Sequence, residues 1–380
     1  MPLKHSIKNF VKGLTIQLLV ILNCLGCVTD YEHPDIDGIT DILVVEGIIT
    51  DNESTITLSK SVNINDGEYY APVYINNANV YVECDDGMLF HAEITDWGWG
   101  EQNGRYIIKT GKLNLERKYS LKIEFDNHKY ASDFSYPIET PKIDSVFWTK
   151  RTKGQPVKIH VATHSQNNDV MYYRWSYKED WEFATEVQTW QYPSLCWNSA
   201  NSNDIVLGSS ENTIFGQITN IITEIDPSDI KMSRLYRISV TQNAISKRAH
   251  DYFYNIKKNT ENMGSIFAPT PSELRGNVVC TTDPTRPVIG YIDFSTTSQK
   301  SRYVSGENVY EEPLAGDTCI EIGAHSTIWF APDRTPLFDI TQFVVYRVQE
   351  KTGEILSYIR TICVDCTSIG TTQKPDDWPI

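Results

Sequence analysis

The feature that most constrains this fold is a succession of short β-type segments separated by turn residues. From residue 42 onward the chain runs through segments such as ILVVEGIIT, STITLSKSV and ANVYVEC, in which apolar and polar residues tend to alternate. Alternation at a period of two is typical of strands with one buried face. The turns DDG at residues 85–87 and DNH at residues 126–128 each predict a hairpin. The sequence therefore predicts a mainly β fold.

Two domains are predicted from this pattern. Residues 41–138 contain six or more short strands at regular spacing and no helical period, which is typical of an immunoglobulin-like β-sandwich. Prolines at 137 and 141 interrupt the strand pattern, so we place the domain boundary there. Residues 139–380 are predicted to form a second β-rich domain with one or two helices.

The second domain contains one clear helical segment, SKRAHDYFYNIKKNTENMG. Its apolar residues fall on one face at helical spacing, Ser246 is suited to cap the N-terminus, and Gly264 is suited to end the helix. A helix is therefore expected near residues 246–262. By contrast, residues 181–216 are rich in asparagine and serine and are expected to be irregular.

Residues 1–26 have the organisation of a lipoprotein signal peptide. Three lysines precede GLTIQLLVIL, an apolar run of ten residues, whereas a membrane-spanning helix needs about 20. The residues Leu-Gly-Cys that end at Cys27 resemble the bacterial lipobox, although Cys24 stands where that pattern prefers leucine. Cys27 is therefore predicted to be the lipidated N-terminus of the mature protein. The alternative is an ordinary signal peptide followed by a coincidental Gly-Cys.

Export makes disulfides possible for the cysteines that remain. Cleavage before Cys27 discards Cys24, so the first Cys-x-x-Cys is lost from the mature protein and CVDC near the C-terminus has no second pair for zinc. We therefore predict no metal site and no cofactor. Six cysteines remain available, which is an even number. The disulfide candidates are Cys196, Cys280, Cys319, Cys363 and Cys366, with Cys196 as the expected partner of one of the last two.

Charge restricts the partners of the chain. The formal net charge is −15 and the pI is about 5.0, which argues against nucleic acid or an anionic lipid surface. Attachment to the membrane is therefore expected only through the lipid anchor. Residues 27–40 are polar and acidic and are predicted to be a tether between the anchor and the folded body.

Four tryptophans are candidate contact residues. Trp97 and Trp99 are flanked by glycines in a predicted loop, and Trp181 and Trp190 lie in the irregular segment. Rigid aromatic rings in loops suit contact with a ligand or a protein. The alternative is that these rings attach long loops to the core, since large aromatic residues are mostly buried. No catalytic motif is found, so no catalytic residue is predicted.

Short motifs along the mature chain are similar to those of the DUF4249 lipoproteins of Bacteroidota, a family of unassigned function. They are VVEGIITD (44–51), PKIDSVFW (141–148), YYRWSY (172–177), CWN (196–198), VTQNAISKRAHDYFYNI (240–256), LRGNV (274–278), VIGYID (288–293), CVDCTSIG (363–370) and KPDDW (374–378). The resemblance implies an outer-membrane lipoprotein encoded beside TonB-dependent transporters of the SusC type. It implies no catalytic residues.

We therefore expect an outer-membrane lipoprotein, at the cell surface or alternatively on the periplasmic face, that captures a ligand for a TonB-dependent transporter or assists that transporter, without catalysis. One alternative is a cell-surface hydrolase of glycans or peptides. Another is a structural or adhesive β-sandwich protein.

Overall fold

The first strands bury every second side chain, as their alternating sequence predicts. Ser54, Ile56 and Leu58 are buried, whereas the residues between them are partly exposed. The computed structural model describes residues 42–61, 73–97, 101–166, 169–213, 216–261, 276–311, 319, 321–323, 342–349 and 351–379. The predicted signal peptide, the tether and Cys27 lie outside the described residues.

Nine strands form the N-terminal body, a name that we keep below. They are β1 (Leu43–Gly47), β2 (Ile49–Thr50), β3 (Asn52–Lys60), β4 (Val73–Tyr74), β5 (Asn79–Cys84), β6 (Leu89–Trp97), β7 (Glu101–Gly111), β8 (Tyr119–Phe125) and β9 (His128–Ser132). Both predicted hairpins are present. The β5–β6 turn contains Gly87 at φ +91°, and the β8–β9 turn contains Asp126 and Asn127 at φ +52° and +57°. Two successive left-handed residues give the tight turn that the twist of antiparallel strands favours.

The next part of the chain forms a second sandwich, followed by a helix. Its elements are β10 (Ile143–Thr149), β11 (Val157–His164), β12 (Tyr172–Ala184), β13 (Leu195–Asn201), β14 (Val206–Ser209), β15 (Gln217–Ile225), β16 (Leu235–Ala244) and α1 (Lys247–Glu261). The helix confirms the prediction for residues 246–262, and Ser246 caps it by accepting a hydrogen bond from Ala249 N at 3.1 Å. The prediction that residues 181–216 are irregular is wrong, because the end of β12, β13 and β14 lie within that segment.

The chain then returns to the N-terminal body. Strands β17 (Val278–Cys280), β18 (Val288–Gly290) and β19 (Phe294–Ser295) pair with β9, β1 and β2, respectively. In the described chain the resulting ladder has ten strands, ordered β17-β9-β8-β5-β6-β7-β3-β1-β18 with β4 on β3. Asn277 N donates to Gly290 O at 3.2 Å, so the two ends of the ladder meet around one apolar core. The sequence analysis did not predict this return.

A last strand completes the second sandwich, which we call the central sandwich. β20 (Thr297–Ser305) pairs with β16 and is followed by the short helix α2 (Gly306–Val309). One sheet is β10-β11-β15 and the other is β13-β12-β16-β20, with β14 on β12. Trp175 Nε1 donates to Gln242 Oε1 at 2.8 Å within the second sheet, and Gln242 Nε2 donates to Thr163 Oγ1 on β11 of the first sheet at 3.2 Å. This buried polar link connects the two sheets.

The C-terminal region is joined to the central sandwich by one disulfide, Cys196–Cys366. Its described strands are β21 (Ile322–Gly323), β22 (Phe343–Val348) and β23 (Ile355–Arg360), and its 3-10 turns span Thr361–Cys363 and Cys366–Ser368. A further 3-10 turn, Ile230–Met232, lies between β15 and β16 of the central sandwich. Cys196 is bonded to Cys366 and Cys319 to Cys363, which confirms the prediction of disulfides and the role of Cys196. The prediction that Cys280 is a disulfide candidate is wrong. Its thiol is free and buried, because β17 carries it into the apolar core of the N-terminal body.

The end of the chain is held on the outer face of the central sandwich by Arg237. Its Nη2 and Nε donate to Asp180 Oδ2 at 2.8 and 3.1 Å, and its Nη1 donates to Asp376 O at 3.0 Å. Trp378 lies against the same guanidinium, which is 5.4 Å from the centroid of its ring system. One buried ion pair therefore anchors the tail. No helix within the described ranges is long and apolar enough to cross a membrane.

Candidate functional site

A polar cleft of about 540 Å³ lies between the N-terminal body and the central sandwich. We call it the interbody cleft. Its described lining consists of a turn of the N-terminal body and the outer face of three strands of the central sandwich: Gly47, Ile48, Thr50, Asp51, Asn52, Glu53, Ser54 and Thr55 on one side, and Arg174, Ser176, Thr241, Asn243, Thr297 and Gln299 on the other. Hydroxyl, amide and charged groups predominate in this lining.

Strand register places the polar residues of the central sandwich in two rows. Arg174 on β12 pairs with Asn243 on β16, and Asn243 pairs with Thr297 on β20. The next outward-facing row consists of Ser176, Thr241 and Gln299. The residues that alternate with them face the apolar core, because successive side chains of a strand point to opposite sides of the sheet. The alternation that builds the core therefore also builds the polar side of the cleft.

The opposite side of the cleft is a constrained turn between β1 and β3. Asn52 has a left-handed backbone with φ +69°, and Ser54 Oγ accepts a hydrogen bond from Thr50 N at 2.8 Å. At Gly47 a Cβ atom would lie 2.6 Å from Thr55 O and 2.5 Å from Ile56 Cδ1. The turn is therefore tightly packed at both ends, and it presents Asp51 and Glu53 to the cleft.

Arg174 is the unusual group of the lining. It is partly buried, and burial lowers the pKa of its guanidinium below the ordinary value, while the charge of Glu46 opposes that shift. The guanidinium carbon lies 4.4 Å from the centroid of the Phe253 ring on α1. Among the described residues, no hydrogen bond or ion pair holds the guanidinium. Its N–H donors are therefore available to a ligand.

The turn that borders the cleft contains an unsatisfied acceptor. Asp51 Oδ1 is buried and has no hydrogen-bond partner among the described residues. Buried polar atoms are normally paired, so this oxygen is an exception within the turn. The Arg174 guanidinium and the two rows of hydroxyl and amide groups can together bind a small ligand that has both donors and acceptors. In the described chain no group of three or more His, Cys, Asp or Glu residues is placed to hold a metal ion.

A second cleft of about 550 Å³ lies between β14, β15 and the C-terminal half of α1. Two of its polar side chains have partners inside the protein, and its described lining contains no arginine. Asn220 Nδ2 donates to Leu207 O at 2.9 Å, and Thr260 Oγ1 donates to Ile256 O at 3.0 Å. The interbody cleft is therefore the better candidate for a binding site.

Of the predicted contact aromatics, Trp181 and Trp190 lie outside the described lining of the interbody cleft. Trp181 is buried at 7% exposure, so its assignment as a contact residue is wrong: it lies on β12 and packs in the core of the central sandwich with Lys231 Nζ 5.1 Å from its ring centroid. Trp97 belongs to strand β6 and not to a loop, and Trp99 lies outside the described residues. Trp190 is 92% exposed, which leaves its ring available for contact.

Sequence analysis missed the residues that line the cleft. Arg174 appears in the sequence as one polar residue between Tyr173 and Trp175, an ordinary outward position on a strand. Asp51 lies in a turn more than 120 residues earlier. Only the docking of the N-terminal body on the central sandwich brings the two into one lining, and no local pattern contains that information.

The two cores and their paired sheets define a mainly β protein of the sandwich class. The model of the family described as "Domain of unknown function (DUF4249)" matches residues 29–301, so the chain belongs to the DUF4249 family. This confirms the resemblance seen in the sequence. No curated protein matches the chain.

Solved structures resemble the chain only distantly. A cytokine receptor complex is 10% identical with a TM-score of 0.22, covering 69% of this chain and 96% of its own. A DUF4785 family protein of Legionella pneumophila is 13% identical with a TM-score of 0.20, and the match covers 53% of this chain and 52% of that protein's chain. A segment of two fibronectin type-III domains from chicken tenascin is 11% identical with a TM-score of 0.15, covering 55% and 91%. With scores this low, the fold class rests on the strand pairing described above.

Proposed function

We propose that this chain is a lipid-anchored outer-membrane protein of the cell surface that captures a small polar ligand in the interbody cleft and passes it to a SusC-type TonB-dependent transporter. The observation that carries the proposal is a cleft lined by a guanidinium that forms no ion pair among the described residues and by two rows of hydroxyl and amide groups. Its volume of about 540 Å³ is in the range of small-molecule sites, which is roughly 300–1,000 Å³.

Capture without covalent chemistry fits this lining better than hydrolysis does. The described lining contains no histidine, cysteine or lysine, so it offers none of the usual bases that activate a nucleophile. Its carboxylates, Asp51 and Glu53, come from a single turn, whereas glycosidases place two carboxylates on either side of the bond to be broken. A sheet face on one side and a tightly packed turn on the other also suit a preformed binding site, since less order is lost when the ligand binds.

Blocking the cleft tests the proposal. Thr241→Trp places an indole in the lining, and Ser239→Trp is the matched control because it lies two residues away on the same strand and face, outside the lining. Tagged versions of the full chain would be purified gently from the outer membranes of the native host. We expect a bound small molecule with wild type and Ser239→Trp and its loss with Thr241→Trp, while all three retain the transporter.

The outcomes separate the three functional classes. A purified protein with neither a small molecule nor a transporter would contradict capture and favour a structural or adhesive role. Cleavage of surface glycans or peptides by wild type, abolished by Thr241→Trp, would favour the hydrolase.

The anchor is tested by Cys27→Ala, for which we expect loss of palmitate labelling and release from the membrane fraction. Normal labelling of that variant would contradict lipidation at Cys27.

A further inference from the structure

We infer that the ligand of the interbody cleft is an acidic sugar, meaning a hydroxyl-rich ring that carries one carboxylate, and that Arg174 binds this carboxylate. The inference rests on the proposed capture function and specifies the class of ligand. It follows from the pairing of the arginines, from the geometry at Arg174 and from the balance of charge in the lining.

Arg174 differs from the arginines that the protein pairs with its own carboxylates. Several arginines of the described chain form an ion pair with a carboxylate of the protein: Arg117 with Asp85, Arg234 with Glu182, Arg237 with Asp180, Arg248 with Asp133, and Arg347 with Glu321. Arg174 is partly buried in the lining of the interbody cleft and forms no such ion pair among the described residues, although the charge of Glu46 acts on it. A cation withdrawn from water without a partner is costly, so the missing partner is expected to be an external anion.

The contact with Phe253 restricts the guanidinium while its N–H donors remain free to bind a carboxylate. Phe253 lies on α1, and its ring centroid is 4.4 Å from the guanidinium carbon. Arginine stacks on aromatic faces while its N–H donors remain free in the plane of the group. Those donors form a rigid fork that matches the two oxygens of a carboxylate. The ring therefore restricts the guanidinium without using its hydrogen-bonding capacity.

The remainder of the lining selects for hydroxyl groups and against a second negative charge. The row Ser176, Thr241 and Gln299 can exchange hydrogen bonds with several hydroxyls. Asp51 and Glu53 lie in the same lining as Arg174, so a doubly charged phosphate would meet more repulsion than a singly charged carboxylate. One carboxylate on a polyhydroxylated ring satisfies all of these groups.

The inference is tested by isothermal titration calorimetry on the folded mature chain. The probes are galacturonate, glucuronate and N-acetylneuraminate, with galactose and glucose as neutral counterparts, glycine as a zwitterion and inorganic phosphate as a dianion. The variant is Arg174→Gln. The matched control is Arg302→Gln, which removes the same charge from an exposed position on β20, outside the cleft.

We expect wild type and Arg302→Gln to bind at least one acidic sugar and to prefer it to its neutral counterpart. Arg174→Gln should weaken that binding on the order of 10- to 100-fold, the range for hydrogen bonds to a charged group, and abolish the preference. Three results overturn the inference: no binding of any acidic probe, equal weakening by both variants, or tighter binding of glycine or phosphate. Binding of a neutral sugar that Thr241→Trp blocks and Arg174→Gln leaves intact would overturn the acidic class while leaving the capture function in place.

Discussion

Arg174 lies against Phe253 with 4.4 Å between its guanidinium carbon and the ring centroid, and within the described chain this ring is the contact that holds it. Arg237, on the neighbouring strand of the same sheet face, binds Asp180 through two nitrogens at 2.8 and 3.1 Å. Arg237 is therefore paired within the protein, whereas Arg174 forms no ion pair among the described residues. The contrast distinguishes a binding group from a structural one on the same sheet.

The first prediction compares these two arginines. Arg174→Met should stabilise the ligand-free protein by about 1 kcal/mol, because it replaces a desolvated, unpaired charge with an apolar side chain. Arg237→Met should destabilise it by about 3 kcal/mol, because the fully buried carboxylate of Asp180 loses both hydrogen bonds from Arg237 and keeps only Lys178 and Ser199. Urea unfolding of both variants is the measurement. Comparable destabilisation by the two substitutions would show that Arg174 is also a structural residue.

The second prediction concerns acid stability and Asp180. Burial alone would raise the pKa of Asp180, but hydrogen bonds from Ser199, Arg237 and Lys178 outweigh it and hold the pKa below its ordinary value. Its contribution is therefore fully present above the unfolded pKa of about 3.9 and is lost as the pH falls through the lower folded pKa. The stability difference between wild type and Asp180→Asn should shrink as the pH is lowered below about 4.

Asp293 should change stability with pH in the direction opposite to that of Asp180. Burial raises the pKa of Asp293, although hydrogen bonds from Ser246 N and Oγ partly offset that effect. Folding therefore favours its protonated form, and wild type loses stability relative to Asp293→Asn as the pH rises from about 3.9 through the folded pKa. Unfolding curves from pH 3 to 8 measure how the stability difference between wild type and each asparagine variant changes with pH. Changes of the same sign for Asp180 and Asp293 would contradict the opposite pKa shifts assigned to these two carboxylates.

Much of the fold follows from local pattern. The hairpin turns at Gly87 and Asn127 and the cap at Ser246 are short-range features whose chemistry is visible in a few adjacent residues. The return of β17–β19 to the N-terminal body was not predictable, because it depends on pairing between strands that are far apart in sequence. An alternating strand pattern predicts that one face of the strand is buried, but it does not predict which other element covers that face.

The aromatic residues show the same limit. Trp181 and Trp190 lie in one stretch of sequence, yet the first is buried in the central sandwich and the second is 92% exposed. Residues 181–216 are predicted to be irregular because they are rich in asparagine and serine, yet Trp181 belongs to β12. Both Asp180 and Trp181 are buried, so burial does not alternate at this point of the strand. Arg237 on β16 and Lys178 on β12 pair with the buried Asp180, and the sequence does not predict the pairing with Arg237.

The third prediction concerns the cysteines. Non-reducing peptide mapping should recover the Cys196–Cys366 and Cys319–Cys363 peptides, with Cys84 and Cys280 alkylated only after unfolding. Replacing the pair Cys196/Cys366 by serine should cost about 5 kcal/mol and the pair Cys319/Cys363 about 4 kcal/mol in the chain-entropy model, because the first closes the longer loop. Recovery of a Cys363–Cys366 peptide would contradict this connectivity.

The fourth prediction separates contact from packing at two tryptophans. Trp190→Ala should leave the free energy of unfolding within about 0.5 kcal/mol of wild type, because an exposed ring leaves no cavity. Trp181→Ala should cost about 3–5 kcal/mol, because it empties part of the core of the central sandwich. If Trp190 contacts the transporter, its loss should weaken co-purification by about 2 kcal/mol. Unchanged co-purification would remove Trp190 from the contact surface.

The central claim is that the interbody cleft holds a small acidic ligand through Arg174. Native mass spectrometry of the protein purified from its own host, compared with the same sample after denaturation, tests it most directly. We predict that folded wild type carries a small molecule that is released on denaturation and runs as an anion. Arg174→Gln and Thr241→Trp should lack it, whereas Arg302→Gln and Ser239→Trp should retain it. Retention of the same molecule by both cleft variants, or equal folded and denatured masses for wild type, would contradict the claim.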